Sequence, residues 1–251
     1  NTAPSVCVNC ALGCNITPGE RYDKLRRIRN RYNRAVNGYF LCDRGRYGYE
    51  FVNRETRPQQ PLLRKPSESG DSVHAPVTRD EAMRYLGPLF RKGSCVMGIG
   101  SPRASLEANF ALRALVGAEN FYLGISKTDR RMISTAIDIV THGPARQPGL
   151  GRIPEHDAVF ILGEDLTNVA PMAALNVRQT IYTQPREKAR AKGIADWNDL
   201  AMRQSMDVER GPLFIATPMA DGLDDVATET YRAIPSDLAR LGFAVAHAID
   251  Q

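Results

Sequence analysis

The stretch Cys7-Val8-Asn9-Cys10-Ala11-Leu12-Gly13-Cys14, answered by Cys42 in Phe40-Leu41-Cys42-Asp43-Arg44-Gly45, decides how the rest of the chain is read. Its spacing is C-x2-C-x3-C-x27-C. Three thiols within eight residues converge on one point only when a tight loop wraps them around something. Gly13, beside the third cysteine, suits such a loop because glycine takes positive φ without a steric cost. A distant fourth cysteine closes the cage, and four thiolates are what a 4Fe–4S cluster requires. Cys7, Cys10, Cys14 and Cys42 are therefore the candidate metal ligands. Structural zinc also takes four cysteines, although its sites usually pair two C-x2–4-C knuckles, and here Cys42 stands alone. Disulfides are the other alternative, but a 27.8 kDa chain has ample core without staples. The spacing favours the cluster and leaves both alternatives open.

The composition is that of an ordinary soluble globular protein, with 43% hydrophobic and 24% charged residues. A length of 251 residues holds one large domain, or a small one beside a medium one. No run approaches the about 18 apolar residues of a membrane helix, so direct membrane insertion is not expected. Asn1 stands where an initiator Met would, so the lack of a targeting segment carries no weight. The net charge of +5 is unevenly placed: residues 1–65 hold 13 Lys+Arg against 5 Asp+Glu, and residues 66–251 hold 20 against 23. The excess centres on Arg21, Lys24, Arg26, Arg27, Arg29, Arg31 and Arg34. Such a run, with Tyr22, Tyr32 and Tyr39 available to stack on bases, would suit nucleic acid. No nucleic-acid motif accompanies it, and no nucleic-acid partner is expected. Two compatible readings remain: cations beside an anionic thiolate cluster, which they stabilise, or a solvated or subunit-facing surface.

Residues 1–57 alternate turn formers (Thr17-Pro18-Gly19, Asn37-Gly38) with short apolar or aromatic pieces, which reads as a small β-rich module built on the cysteines. Leu25 and Ile28 are three apart, a spacing that calls for a bulge in any strand carrying both. Residues 58–77 are proline-rich and read as a linker without much regular structure. From Thr78 to residue 251 the pattern alternates helix and strand. Thr78-x-x-Glu81 is a capping box for a helix that Gly87-Pro88 should shorten. Ser94–Ile99 reads as a buried strand, 104–116 as a helix stopped by Gly117, 120–123 as a weak strand and 129–140 as a helix. Ala158–Leu162 is the clearest buried strand, followed by helices over 171–182 and 186–201, a strand over 213–216 and a helix over 237–249. In that last helix Leu238, Leu241, Val245 and Ala248 share one face. Strands separated by helices imply an α/β class with a doubly wound, mainly parallel sheet.

Outside the cysteines the chemistry is sparse. Gly98-Ile99-Gly100-Ser101-Pro102-Arg103 sits between a strand and a helix, the context of a dinucleotide fingerprint. Its third glycine position is Arg103 and no acidic ribose ligand stands about 20 residues on, so it reads as a tight turn. Cys95, in the predicted strand, reads as core. His74, His142, His156 and His247 have no metal-ligand spacing, and no Ser/His/Asp or Cys/His pairing suggests nucleophilic catalysis, so no catalytic residue is assigned.

The cysteine spacing, followed by Cys42-Asp43-Arg44-Gly45-Arg46-Tyr47-Gly48, resembles the iron–sulfur domain that opens the molybdopterin oxidoreductase family. Val96–Ser101 with Asn109–Leu112, and Asp157–Asp165 with Pro171 and Arg178-Gln179, resemble two later blocks of that family. Pro18–Tyr22, Leu25–Ile28, Arg31–Asn33 and Tyr39–Arg46 are similar to one branch, the large peripheral-arm subunit of bacterial NADH:quinone oxidoreductase (respiratory complex I). Phe121-Tyr122 and Leu241–Ala248 fit that branch too. The resemblance covers nearly the whole chain, which looks like a middle piece of a longer subunit. It implies a 4Fe–4S cluster off the main electron path, partners among the other peripheral-arm subunits including the flavin-bearing one, and a peripheral place on the cytoplasmic side of the inner membrane. Molybdenum enzymes of the family contact a pterin dinucleotide at the loop that is Gly163-Glu164-Asp165-Leu166 here, where two carboxylates are poor company for phosphates. The stretch 124–155, where those enzymes place a metal ligand, has no cysteine, so no molybdopterin is expected. Arg44 falls where they carry a lysine that links cluster and cofactor. With that cofactor expected to be lost, it reads as a retained neighbour of the cluster and not as a relay.

Overall fold

The computed structural model describes residues 1–66, 72–91, 96–206 and 210–250. They form a mixed α/β structure of small sheets and helices in two compact units: Asn1–Asn53 with Gln147–Gln251, and Arg54–Arg146. This grouping differs from the expected division at 57 and 77, because the cysteine segment shares its core with residues far downstream.

In the first unit, β1 (Ser5–Val6), β2 (Asn15–Arg21) and β3 (Lys24–Asn30) form an antiparallel sheet in that order. The β2–β3 turn is Tyr22-Asp23, both at φ 57°, the left-handed pair that a two-residue hairpin loop requires. Glu20 Oε1 accepts the Asp23 N–H at 2.8 Å and supports this unusual conformation. Thr17-Pro18-Gly19, expected to turn, instead lies within β2. On the β1 side, β2 is paired at Asn15 and Ile16 and again at Gly19, which bridges Thr2, so Pro18 falls in the gap between, where a missing N–H is tolerated. The expected bulge is present: Gly19 faces Arg27 and Glu20 faces Leu25, leaving Arg26 as the extra residue. Leu25 and Ile28 thereby both pack into the cysteine core. Two short helices not anticipated from the sequence, α1 (Asp43–Tyr47) and α2 (Glu50–Asn53), cover β3. The Asn53 side chain accepts from Leu25 N at 2.9 Å and donates to Leu25 O at 2.8 Å. Tyr49 Oη donates to Arg26 O at 2.7 Å. The outer edge of β3 is thus satisfied and not left as a pairing template.

The second unit opens with an antiparallel hairpin, β4 (Leu62–Pro66) and β5 (Ser72–Pro76), where an irregular linker was expected. Next comes α3 (Arg79–Leu86), with its capping box formed: Glu81 N donates to Thr78 Oγ1 at 3.3 Å and Thr78 N to Glu81 Oε2 at 2.8 Å. A 3₁₀ turn over Gly87–Phe90 absorbs Pro88. The strand β6 (Gly98–Ile99) leads to α4 (Leu106–Val116), whose end is marked by Gly117 at φ 88°, and then to β7 (Phe121–Tyr122), parallel to β6. The unit continues into α5 (Lys127–His142). Ser94 and Cys95 of the predicted strand lie outside the described residues.

The chain returns to the first unit with β8 (Val159–Leu162), α6 (Leu166–Val169), α7 (Pro171–Thr180), α8 (Thr183–Ala191), α9 (Asp199–Met206), β9 (Leu213–Thr217), β10 (Glu229–Arg232) and α10 (Pro235–Ile249). The strands are parallel in the order β10-β9-β8. The predicted helix over 186–201 is two helices, broken at Gly193 with φ 82°. The most buried strand is β9 and not β8, as the sequence had suggested. Central in the sheet, β9 buries Leu213, Ile215, Ala216 and Thr217, whereas β8 at the edge buries only Ile161. Ile161, Ala174, Val177, Ile181, Leu213, Ile215 and Leu223 form this core. Of the apolar face expected on α10 only Leu238 is buried; Leu241 and Val245 line a groove of about 560 Å³ with Phe160, Phe214 and Tyr231. Parallel pairing therefore occurs in two separate sheets, β6–β7 and β8–β9–β10, in place of the single doubly wound sheet expected.

Candidate metal centre

The first three cysteines lie on one loop pinched at its neck. Val6 pairs with Asn15, and Cys7 N donates to Cys14 O at 2.8 Å, so the chain leaves β1 and re-enters β2 at the same place. Gly13 turns the loop at φ 63°. Cys7 and Cys14 at the neck are buried, and Cys10 between them is half-buried.

Cys42 is brought in by a separate device. Asn37, 2% exposed, accepts from Asn15 N at 2.9 Å and donates to Phe40 O at 3.2 Å. Asn30 donates to Phe40 O at 2.8 Å. These amides clamp the segment before Cys42 onto the base of the cysteine loop. Reading the sequence identified Asn37-Gly38 only as a turn and missed this clamp; the visible signal was an amide two residues before an aromatic pair that precedes the cysteine. Cys42 then caps α1, its Sγ accepting from Gly45 N at 3.4 Å. Gly45 is buried against Cys7: a Cβ there would stand 3.4 Å from Cys7 Sγ and 2.8 Å from Leu41 Cδ1. Asn9, on the cysteine loop, donates to Arg44 O at 2.9 Å and ties the loop to α1.

All four cysteines are free. The Cys14 thiol is pushed up to about 11, first by burial and then by the nearby Cys10, Cys7 and Cys42. An unaided Cys14 thiolate is thus disfavoured, and a cationic metal–sulfur core is the chemistry that would relieve both causes. Among the described residues no three or more His, Cys, Asp or Glu side chains are grouped so as to hold one metal ion. Nine Lys and Arg residues lie in 1–53, and among the described residues none is in an ion pair, whereas Arg152, Arg178, Arg190, Arg203, Arg232 and Arg240 all are.

The other loops singled out in the sequence are occupied by their own side chains. At Gly100-Ser101, Asn109 Oδ1 accepts from Ser101 N at 2.9 Å, and a Cβ on Gly100 would meet that oxygen at 2.7 Å. This is a tight strand–helix turn. After β8, Gly163 takes φ 82° and Asp165 caps α6, accepting from Thr167 Oγ1 at 2.6 Å, Asn168 Nδ2 at 2.6 Å and Asn168 N at 3.1 Å. Hydrogen bonds from Thr167 and then Asn168 hold the Asp165 carboxyl below the usual carboxylate range. The structure brings this loop to the cysteine module: Arg44 Nη1 donates to Asn168 O at 3.0 Å, and Met172 is buried in one core with Cys7, Cys14, Ile16, Ile28 and Leu41. The four histidines gather at no site. The structure does not describe Cys95.

Residues 1–54 match the family model described as the molybdopterin oxidoreductase Fe4S4 domain. The chain is 48% identical over 248 residues to the G subunit of NADH-quinone oxidoreductase from Salmonella typhimurium, and equally to that from Escherichia coli K12, covering 99% of this chain and 27% of either relative. The corresponding G subunit of Pseudomonas fluorescens is also 48% identical, with 26% of its length covered. The chain thus spans about a quarter of the length of the curated relatives it matches.

Proposed function

We propose that this chain is the cluster-bearing section of the G subunit of an NADH-quinone oxidoreductase, holding a 4Fe–4S cluster on Cys7, Cys10, Cys14 and Cys42. The observation that carries the reading is geometric: Cys7, Cys10 and Cys14 share one loop pinched by the Cys7 N–Cys14 O bond, and Cys42 caps the helix whose Gly45 lies against Cys7. When bound, the cluster supplies one-electron storage and, through its four bonds, the internal bracing of a module with few large apolar residues. The chain's own residues orient the thiols: Gly13 and the Cys7–Cys14 backbone bond shape the loop, Asn37 places Cys42, and Gly45 leaves room beside Cys7. By resemblance the cluster stands off the main path from NADH to quinone, so its first role is to hold the subunit together. The chain works inside an assembly, with the peripheral-arm subunits, among them the flavin-bearing one, as partners at the cytoplasmic face of the inner membrane. No described helix is long and apolar enough to cross a membrane. The internal hydrogen bonding of Ser101 and Asp165 supports a fold that has no use for a pterin dinucleotide.

Metal identity tests this. Anaerobic reconstitution with iron and sulfide should give a brown protein with about four irons per chain. Cys42→Ala should lose the cluster, and Cys95→Ala should keep it. A colourless protein with one tightly held zinc, or bleaching by Cys95→Ala, would overturn the ligand assignment.

A further inference from the structure

Arg44 stands two residues after Cys42, on the exposed side of α1, and reaches across the unit. Its Nη1 donates to Asn168 O at 3.0 Å and its Nη2 lies 3.5 Å from Asn168 Oδ1. Asn168 is itself fixed by Asp165 through bonds of 2.6 and 3.1 Å. On the other side the Arg44 carbonyl accepts from Asn9, between Cys7 and Cys10. A continuous polar chain therefore runs from the cysteine loop through Arg44 to α6 and the loop after β8, bridging a sequence separation of 124 residues. Just beyond it, Met172 and Leu175 of α7 pack against Cys7, Cys14 and Leu41. The acceptors of Arg44 are a carbonyl and an amide, neither of them charged. Among the described residues no carboxylate pairs with it. Its positive charge, on the residue two after Cys42, thus has no carboxylate partner among the described residues.

We infer that Arg44 is a positioning residue with two separable jobs. Its guanidinium latches the cluster-bearing helix α1 to α6, and its unneutralised charge raises the reduction potential of the cluster. The second job follows from charge: reduction adds one electron to an already anionic centre, and a fixed cation nearby favours the reduced form. The first follows from geometry, since the fork is a polar tie from α1 to α6. This inference rests on the cysteines being cluster ligands, and the wild-type iron content tests that separately.

The test uses the chain reconstituted with iron and sulfide, as wild type and as Arg44→Lys, Arg44→Gln and Arg44→Ala. The readouts are the cluster midpoint by EPR-monitored redox titration, and amide hydrogen exchange by mass spectrometry. Lys keeps the charge and loses the fork, Gln keeps an amide donor and loses the charge, and Ala loses both. The expected midpoints fall into two groups: wild type with Lys, and Gln with Ala. The groups should differ by up to tenfold in the reduced-to-oxidised ratio at fixed potential, or at most about 59 mV for one electron. Exchange over residues 165–170 should rise in Arg44→Ala and be intermediate in Lys and Gln, with iron content kept in all four. A midpoint in Arg44→Ala equal to wild type, or one in Arg44→Lys as low as in Arg44→Ala, would overturn the electrostatic job. Unchanged exchange over 165–170 in Arg44→Ala would overturn the latch. A wild-type chain that takes up no iron would instead refute the ligand reading beneath it.

Discussion

Gly45→Ala sets two effects of similar size against each other at the centre of the cysteine module. Gly45 lies inside α1 without a positive φ, so alanine should by itself favour the helix by about 0.5–1 kcal/mol. The new Cβ, however, would stand 2.8 Å from Leu41 Cδ1, 3.2 Å from Leu41 Cγ and 3.4 Å from Cys7 Sγ. The contact with Cys7 is ordinary; those with Leu41 are not. A leucine tip on a surface would swing away, but Leu41 is only 9% exposed and packed into the cysteine core. Overpacking at such a site costs about 1–3 kcal/mol, so the clash should win and leave a net loss of about 1–2 kcal/mol. Leu41→Ala alone should cost about 2–5 kcal/mol through the cavity it opens. In the double variant the new methyl enters the vacated space, so the combined loss should fall short of the sum by about 0.5–3 kcal/mol. Urea unfolding of the four reconstituted proteins, with iron content measured alongside, gives the cycle directly. Stabilisation by Gly45→Ala, or strict additivity with Leu41→Ala, would show that Leu41 yields freely and that the packing around Cys7 is looser than described.

Leu213, wholly buried at the start of the central strand β9, should lose about 2–5 kcal/mol on substitution by alanine. Phe214, its neighbour on the strand, is 39% exposed and should lose less despite its larger side chain; urea midpoints compare them, and the reverse order would contradict the placement of β9. The Asp224 carboxyl is held below the usual carboxylate range, chiefly by its bond to Arg232. A depressed folded pKa contributes stability above the unfolded value that is lost as pH falls through the folded one. Unfolding curves taken from pH 6 downward should therefore steepen below the ordinary carboxylate range in the wild type, and less so in Asp224→Asn. Parallel curves would remove this pair from the acid response.

Features of the fold that depend on a few neighbouring residues could be read in the sequence. The Thr78–Glu81 box, the stop at Gly117 and the bulge implied by Leu25 and Ile28 each rest on local geometry. The iron–sulfur reading was equally local, three of its cysteines lying within one loop. What escaped was set by partners distant in sequence. Thr17-Pro18-Gly19 looks like a turn until β3 is seen to pair along it, and the real turn at Tyr22-Asp23 has no glycine to announce it. The five apolar residues of 158–162 suggested a central strand, but strand order made β9 the central one. Asn37 and Arg44 look like surface polar residues in the sequence. Their roles appear only once Asn15 and Asn168 are brought beside them.

The placement of Met172 and Leu175 in the same core as Cys7 and Cys14 has a consequence in time. A ribosome makes Cys14 158 residues before Met172. At about 5–20 residues per second, that leaves roughly 10–30 s during which the thiols exist without the helix that packs on them. Nascent cysteines in that interval are open to oxidation and to the wrong metal. A cluster delivered early would have to be held by the N-terminal module alone, whereas one delivered after α7 has emerged meets a finished wall. The order of synthesis thus argues for late loading, and for handling of the growing chain that keeps its first loop reduced until the downstream helix arrives.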